Sequence, residues 1–343
     1  MAALGLWLAS TQVDVASLPG HLARTPVWAL AGATSLLAVN LVLYAVRWRV
    51  LLRAAGSDVP ARALLPAILL ASGANAVLPG RAGDLLRVES ARERFGVRPA
   101  HALGTLFLER LLDGVALSVL LVVAALALHL PPAALAGAFV LLVLVALGVV
   151  LTLLAARRPA RAARLLTRAT GRLPARVRPA VERSVTGFLA GLGAFADRRA
   201  LARAVLLSFL MWPPEIAMFA VMGHGLGLEL PLASYVAIGA LANIALSLPL
   251  TPAGLGTYDA AVVLGAAGMG GPAGAGAVGA YVVAMRGVCF VPVMAAAAAM
   301  LPKSLPGLFG RRSGRPMTAA RRPVAASVPS HAPAPAGPLD AVA

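Results

Sequence analysis

Long apolar runs separated by short polar segments make up most of this chain. Runs long enough to cross a membrane lie at about 27–46, 102–128, 133–155, 204–222 and 281–300. A spanning helix needs roughly 17 to 25 predominantly apolar residues. The pattern therefore predicts an all-α polytopic membrane protein built as a helical bundle.

Two further apolar segments are interrupted by helix-breaking residues. The run from Ala63 to Leu78 has barely 16 residues and stops at Pro79-Gly80, with arginines on both flanks. It predicts a re-entrant hairpin that enters and leaves on the cytoplasmic side, because broken backbone at membrane depth needs protein or a watery cavity around it. Residues 232–270 repeat the order of Ala-Asn, Leu-Pro, spaced glycines and a carboxylate. They predict either a hairpin entering from outside or two full crossings, and two broken segments in opposite halves are typical of inverted repeats around a transport site.

The apolar pattern also sets the domain boundaries. Residues 1–26 form an N-terminal segment, either a partial span or an interfacial stretch, and 27–301 form the membrane domain. The Ala/Pro/Ser-rich tail, 302–343, is predicted to be disordered. Between 156 and 203, twelve arginines face two acids, a net charge of +10, so this is the main cytoplasmic loop. Apolar residues at helical spacing in this loop predict an amphipathic helix on the inner leaflet or, equally, a solvated connector. They are Val181, Val185, Phe188, Leu192 and Phe195.

Composition and charge narrow the class of protein. The 343 residues are 60% hydrophobic and 13% charged, with a mean hydropathy of +0.85, which an ordinary soluble domain does not approach. The net charge of +17 lies between the apolar runs, so topology explains it better than nucleic-acid binding. Arg47, Arg49 and Arg53, with Trp48 as an interface anchor, predict a cytoplasmic end for the first span. High Ala, Gly and Arg with Lys303 as the single lysine suggest a bacterial plasma membrane protein, with a cytoplasmic C-terminus.

Charged residues inside the apolar runs are candidate functional residues. Glu109, Arg110 and Asp113 sit within a predicted span, where each would cost something like 2.5 to 3.5 kcal/mol if it faced lipid. The same holds for Glu215, Asp259 and Arg286. All six must face the bundle interior, either as an ion-pair network that fixes packing or as the lining of a polar cavity.

In the cavity interpretation, arginines bind a lipid phosphate through forked hydrogen bonds. Acids position them or carry a proton, and two asparagines cap the half-helices from within. The candidate substrate-binding residues are Asn75, Arg81, Asp84, Arg87, Glu109, Arg110, Asp113, Asn243, Asp259 and Arg286. The candidate hinge residues are Pro79, Gly83, Pro249, Pro252, Gly254 and Gly256.

Motifs for catalysis and cofactors are not visible in the sequence. There is no Walker loop, HExxH, Ser/His/Asp order or Cys/His pair, and the histidines lack metal-ligand spacing. Cys289 is the single cysteine, so no intramolecular disulfide forms. We therefore expect no enzyme activity, no catalytic residue, no metal and no cofactor.

Three motifs resemble the transmembrane region of the lysylphosphatidylglycerol synthase family, the flippase-like half of bacterial multiple-peptide-resistance proteins. They are Asn75-x3-Pro79-x-Arg81-x-Gly83-Asp84-x2-Arg87, Glu109-Arg110-x2-Asp113, and Pro249-x2-Pro252-x-Gly254-x-Gly256-x2-Asp259. The similarity spans roughly residues 27–300. Family members commonly have glutamate at positions 84 and 259 and glycine at 253. The resemblance implies a bundle with broken helices that moves lipid between leaflets. It implies no synthase activity, since the cytosolic aminoacyl-transferring domain of the two-part proteins is not seen here.

Three functions follow as hypotheses. The first is a flippase or translocase for a phospholipid or lipid-linked substrate, with membrane lipids, chiefly anionic phospholipid, as partners and no nucleic acid. The second is a proton-coupled exporter of another amphipathic solute that uses Glu109, Asp113 and Asp259. The third is a non-transporting scaffold that recruits a soluble partner through the 156–203 loop.

Overall fold

Helices account for nearly all of the part of the chain that the structure describes. The computed structural model describes residues 18–170, 178–179, 181–182, 188, 192, 197–247, 251–268 and 275–309. The helices that lie within these ranges are α1 Leu18–Ala23, α2 Val27–Ala54, α3 Ala61–Val77, α4 Ala82–Phe95, α5 Pro99–Ala127, α6 Pro132–Arg157, α7 Pro159–Thr170, α8 Arg198–Leu210, α9 Trp212–Gly225, α10 Leu232–Ser247, α11 Thr257–Gly268 and α12 Ala275–Phe309. The all-α prediction is confirmed, and the described ranges contain no strand.

Five helical segments are long and apolar enough to cross a membrane. They are α2, α5, α6, the continuous stretch Arg198–Gly225 formed by α8 and α9, and Gly276–Met300 within α12. Helices α8 and α9 meet at Met211, two residues before Pro213-Pro214, and each proline lacks the N–H for a helix hydrogen bond. These spans make the chain a multi-pass membrane protein.

The first span is longer than the sequence predicts, and this moves two residues from its end to its interior. Instead of stopping at Val46, α2 continues to Ala54. Arg47 and Trp48 are both fully buried, and the Trp48 indole donates to Thr105 Oγ1 at 3.2 Å. The predictions that Arg47 marks the cytoplasmic end and that Trp48 anchors the interface are therefore wrong. Arg49 and Arg53 remain exposed at that end of the helix.

The first interrupted segment folds as a helical hairpin. Helices α3 and α4 pack against each other and are joined by a 3-10 turn, Pro79–Arg81. Gly80 and Arg81 adopt positive φ angles of 69° and 56°, which reverse the chain in few residues. Gly83 lies so close to α3 that a methyl group there would be 2.0 Å from the Ala71 carbonyl oxygen. The hairpin thus needs Gly83 for helix packing and Gly80 for its backbone angle.

The second interrupted segment is also a hairpin, which decides between the two alternatives left by the sequence. Helices α10 and α11 pack together, and α11 has 12 residues, fewer than the roughly 17 a crossing needs. Between them, the 3-10 turn Pro252–Gly254 has positive φ angles at Ala253 and Gly254. Gly256 also has a positive φ, 81°. Pro249 lies outside the described residues.

The two hairpins enter the bundle from opposite ends and their tips touch. Leu64 and Ala91, near the open end of the first hairpin, share a buried cluster with Trp48 of α2. Tyr235 and Ala266, near the open end of the second, share a cluster with residues near the start of α2 and the end of α9. The two 3-10 turns contact each other between these ends. This is the arrangement expected of inverted repeats.

Part of the 156–203 loop packs against the bundle. Phe188 makes an edge contact with Phe107 of α5, with ring centroids 5.3 Å apart. Leu192 is 2% exposed among Leu51, Leu108 and Ala204. These two residues therefore pack on protein, unlike the predicted helix whose apolar side lies in the inner leaflet. The other predicted apolar residues of this loop, apart from the described Val181, lie outside the described residues, as do the segment 1–17 and the tail from 310.

Candidate functional site

A partly open cavity of about 290 Å³ lies beside the tip of the first hairpin. Helices α2, α5, α9, α10 and α12 complete its wall. A smaller cavity of about 180 Å³ lies between the two tips, with Ser72, Asn75, Arg81, Leu246 and Phe290 lining both. Predicted site residues lining the larger cavity are Asn75, Arg81, Asp84, Arg87, Arg110, Asp113 and Asn243. We refer to the larger space as the tip cavity.

Two buried arginines, Arg87 in the wall of the tip cavity and Arg47 behind it, form forked pairs with carboxylates. Arg87 donates through both of its terminal nitrogens to Glu109, at 2.8 and 3.0 Å, and both side chains are at most 1% exposed. Arg47 pairs in the same forked manner with Asp113, at 2.5 and 3.2 Å, and also donates to Ser208. The Arg87 guanidinium lies 3.7 Å from the ring centre of Trp48. These pairs have the geometry of structural ties between helices.

Two other arginines keep part of their surface in the tip cavity. The side chains of Arg81 and Arg110 are 27% and 33% exposed. Both approach one carboxylate, Asp84, with nitrogen to oxygen distances of 3.4 and 3.3 Å. Arg110 also lies 3.7 Å from Asp113 and donates to Tyr44 at 3.4 Å. Because these contacts are long and shared, the two guanidinium groups retain donors for an anion.

Arg286, the fourth predicted arginine, contacts the turn at the tip of the second hairpin. Arg286 pairs with Asp259 at 2.5 and 2.7 Å and donates to the carbonyl oxygens of Ala253 and Gly254. Asp259 in turn accepts from the Gly256 amide at 2.8 Å, which caps the start of α11. Neither side chain lines the tip cavity. This pair holds the turn that closes the smaller cavity, and it lies beside the tip cavity instead of within it.

The two asparagines bind carboxylates across the bundle. Asn75 donates to Asp84 at 3.2 Å. Asn243 donates to Glu215 at 3.3 Å and to the Gly239 carbonyl at 2.9 Å. Neither caps a helix end, so the capping prediction is wrong. The reason is geometric, since both side chains point sideways from their helices toward an acid on a neighbouring segment.

Several polar residues that contact the charged groups of the site were not among the predicted site residues. Asn40, Tyr44 and Glu215 line the tip cavity, and Arg47 supports it from behind. Tyr44 accepts from Arg87 at 2.9 Å and from Arg110 at 3.4 Å, so its hydroxyl joins a structural arginine to an exposed one. A signal was present in the sequence, because positions 40, 44 and 47 are four and three apart within one apolar run and share a helix face.

The spans, the paired hairpins and the charged cavity define an integral membrane protein with broken helices that meet inside the bundle. Residues 1–297 match the family described as the lysylphosphatidylglycerol synthase TM region, so the chain belongs to that family. The membership predicted from the three motifs is thus confirmed. No curated protein matches the chain.

Proposed function

We propose that the protein moves a phospholipid between the two leaflets of its membrane and grips the anionic headgroup with Arg81 and Arg110. The observation that supports this is that the arginines at the cavity fall into two groups, which differ in exposure and in pairing with carboxylates. Arg47 and Arg87 are buried in forked pairs with Asp113 and Glu109, whereas Arg81 and Arg110 share Asp84 and face the cavity. A phosphate oxygen pair matches the fork of a guanidinium group.

The size of the cavity supports a headgroup and not a whole lipid. About 290 Å³ lies at the lower end of the roughly 300 to 1,000 Å³ that small-molecule sites occupy. The acyl chains would therefore stay in the bilayer while the headgroup passes through the protein. Meeting hairpin tips place broken backbone next to this space, as transport sites between repeats require.

The test measures lipid movement with the purified full-length chain in vesicles of phosphatidylcholine and phosphatidylglycerol. The probe is phosphatidylglycerol with a fluorescent acyl chain, which a membrane-impermeant reductant bleaches only in the outer leaflet. We expect the protein to expose the inner-leaflet probe. Arg81→Ala and Arg110→Ala should each slow this about 10- to 100-fold, since a charge-assisted hydrogen bond is worth roughly 1.5–3 kcal/mol.

Both variants should remain folded, because Asp84 keeps the other arginine as a partner and Asp113 keeps Arg47. Arg53→Ala is the matched control, since that side chain is 68% exposed at the end of α2, away from the cavity. Arg110→Lys should give an intermediate rate, because lysine keeps the charge without the fork. Wild-type rates in Arg81→Ala and Arg110→Ala would overturn the proposal.

A further inference from the structure

Glu215 differs from every other acid at the site in the kind of partner it has. Asp84, Glu109, Asp113 and Asp259 each lie within ion-pair distance of an arginine. Among the described residues, Glu215 forms no ion pair with an arginine, lysine or histidine. Its two carboxyl oxygens instead contact the amides of Asn40 and Asn243. Glu215 is therefore the acid of the tip cavity whose negative charge is not compensated by a cation in contact with it.

The two amides are held differently. Asn243 donates to a backbone carbonyl, Gly239, which can only accept, so the orientation of its amide is fixed and it donates to Glu215 Oε1. Asn40 contacts only Glu215 Oε2, at 2.5 Å, and the other polar atom of its amide is buried without a partner. The nitrogen and oxygen of an amide can exchange places. Asn40 can thus donate to a carboxylate or accept from a protonated acid.

The surroundings of Glu215 suit a proton on Oε2. A carboxylate that no cation contacts loses more solvation free energy than the neutral acid does. The Asn40 amide can turn its oxygen toward Oε2 and accept from the protonated form. The geometry fits a carboxylic O–H on Glu215 that donates to the Asn40 carbonyl oxygen, with Oε1 accepting from Asn243.

The charge balance of the site changes with that proton. Besides Glu215 itself on α9, the elements around the cavity other than α10 bring titratable or charged groups to it or directly behind it. They are Tyr44 and Arg47 from α2, Arg81, Asp84 and Arg87 from the first hairpin, Glu109, Arg110 and Asp113 from α5, Tyr258 from α11 and Cys289 from α12. Four arginines stay charged. Against four acids the sum is 4 − 4 = 0, and with Glu215 neutral it is 4 − 3 = +1, which one phosphodiester charge would cancel.

We propose that Glu215 is the proton-binding residue of the tip cavity and that it takes up one proton on Oε2 when an anionic phosphate group binds at Arg81 and Arg110. The proton comes from the aqueous phase and returns to it when the anion leaves. Binding of each ligand strengthens binding of the other by the same factor. The part of this inference that concerns anion binding rests on the proposed function, whereas the proton site does not.

The proton site is tested without transport. Infrared difference spectra of the purified full-length chain, recorded between acid and alkaline pH, should show a carboxylic C=O band. The band should vanish in Glu215→Gln and shift in Asn40→Leu, which removes the acceptor. Glu229→Gln, at an exposed position outside the cavity, is the control and should keep the band. A band that persists unchanged in Glu215→Gln overturns the inference.

The coupling is tested with the vesicle assay over the same pH range. Phosphatidylglycerol movement by the wild-type chain should rise toward acid pH, by at most about tenfold per unit for one proton. Glu215→Gln should be fast and independent of pH. Inorganic phosphate at matched concentrations is the second probe: it slows lipid movement if the site also takes free phosphate, and leaves the rate unchanged if the site takes the headgroup alone.

The two proposals fail separately. If the wild-type chain moves no lipid but the infrared band depends on Glu215, the flippase proposal is lost and the proton site stands. If lipid moves but wild-type and Glu215→Gln rates depend equally on pH, the coupling is wrong and the flippase proposal stands.

Discussion

Arg47, Arg81, Arg87 and Arg110 carry the same charge within one small region, yet their surroundings give them two different roles. Arg47 and Arg87 are at most 1% exposed and each has a forked carboxylate partner. A buried pair of this kind contributes little net stability, but removal of one partner leaves a charge without compensation. Exposure and pairing thus separate the arginines that hold helices together from those available to a ligand.

This distinction predicts the stability of variants at the Arg87–Glu109 pair. Arg87→Met or Glu109→Leu alone should lower the free energy of unfolding by about 3–5 kcal/mol, because the remaining partner is a buried unpaired charge. The double variant Arg87→Met with Glu109→Leu should recover most of that loss. Thermal unfolding of the purified protein in detergent measures both. As a control, Glu89→Ala removes only the partner of the exposed Arg92 and should hardly change Tm.

If the double variant were as unstable as the single ones, the pair would contribute through its exact geometry and not through mutual neutralisation. The same comparison at Arg47 and Asp113 is less sharp, since Asp113 is 19% exposed and also approaches Arg110.

The residue types in the site were readable from the sequence, but their pairing was not. A charge inside an apolar run must face the interior, which identifies Arg110, and the polar residues that follow the interrupted run at Pro79-Gly80 identify Arg81 and Asp84. Which acid neutralises which arginine depends on how helices pack, since Arg47 and Asp113 are 66 positions apart. Arg47 was assigned to the cytoplasmic end because an arginine after an apolar run usually marks one. Here the helix continues, and burial beside Asp113 overrides that tendency.

At the level of elements, the two hairpins share the design of their turns but differ in what the arginine beside each turn contacts. Each reverses direction with residues of positive φ, and each starts its return helix with an acid, Asp84 or Asp259, that an arginine from another helix contacts. Arg286 also binds the carbonyl oxygens of its tip, whereas Arg110 faces the cavity. The second tip is therefore tied down, and the first presents its charges to the ligand space.

The first hairpin depends on the absence of a side chain at Gly83. In Gly83→Ala the new methyl group would lie 2.0 Å from the Ala71 carbonyl oxygen and 2.7 Å from Asn75 Oδ1. Helices α3 and α4 must separate, which we expect to cost about 1–3 kcal/mol, as overpacked cores do. The shift also carries Asp84 away from its arginines, so lipid movement should fall together with Tm.

Gly137→Ala is the matched control for this prediction, because nothing lies within 4 Å of a methyl group at that helical glycine in α6. It should leave Tm unchanged or raise it slightly, since alanine favours helix over glycine. Unaltered stability and activity in Gly83→Ala would mean that the hairpin tolerates separation of its helices.

The hairpins themselves were predictable because Pro-Gly and Pro-x-Gly interrupt apolar runs of too few residues. For residues 232–270, charge counting fits a hairpin and two crossings equally well. The structure favours the hairpin through the 12-residue length of α11 and the contact between the two tips, and contacts between distant segments leave no pattern in the local sequence.

At the scale of the whole molecule, opposite entry of the hairpins and contact of their tips leave only a thin barrier at the cavity. Arg81 of the first tip lies 3.5 Å from the Leu246 carbonyl oxygen of α10, so a small separation of the tips would join the two cavities. In transporters built from inverted repeats, access alternates when one repeat moves against the other. The proposed headgroup path therefore runs along the contact between the repeats.

Opposite entry can be tested by labelling single cysteines. Asp58 precedes the first hairpin near the exposed arginines of α2, and Glu229 precedes the second in a connection without lysine or arginine. The positive-inside rule places these positions on the cytoplasmic and external sides. In a Cys289→Ala background, a membrane-impermeant maleimide should label Glu229→Cys in intact cells and Asp58→Cys only after permeabilisation. The Asp58 ion pairs are exposed, so their loss should matter little. Labelling of both positions from one side would place the two hairpins on the same face and remove the inverted arrangement on which the transport proposal depends.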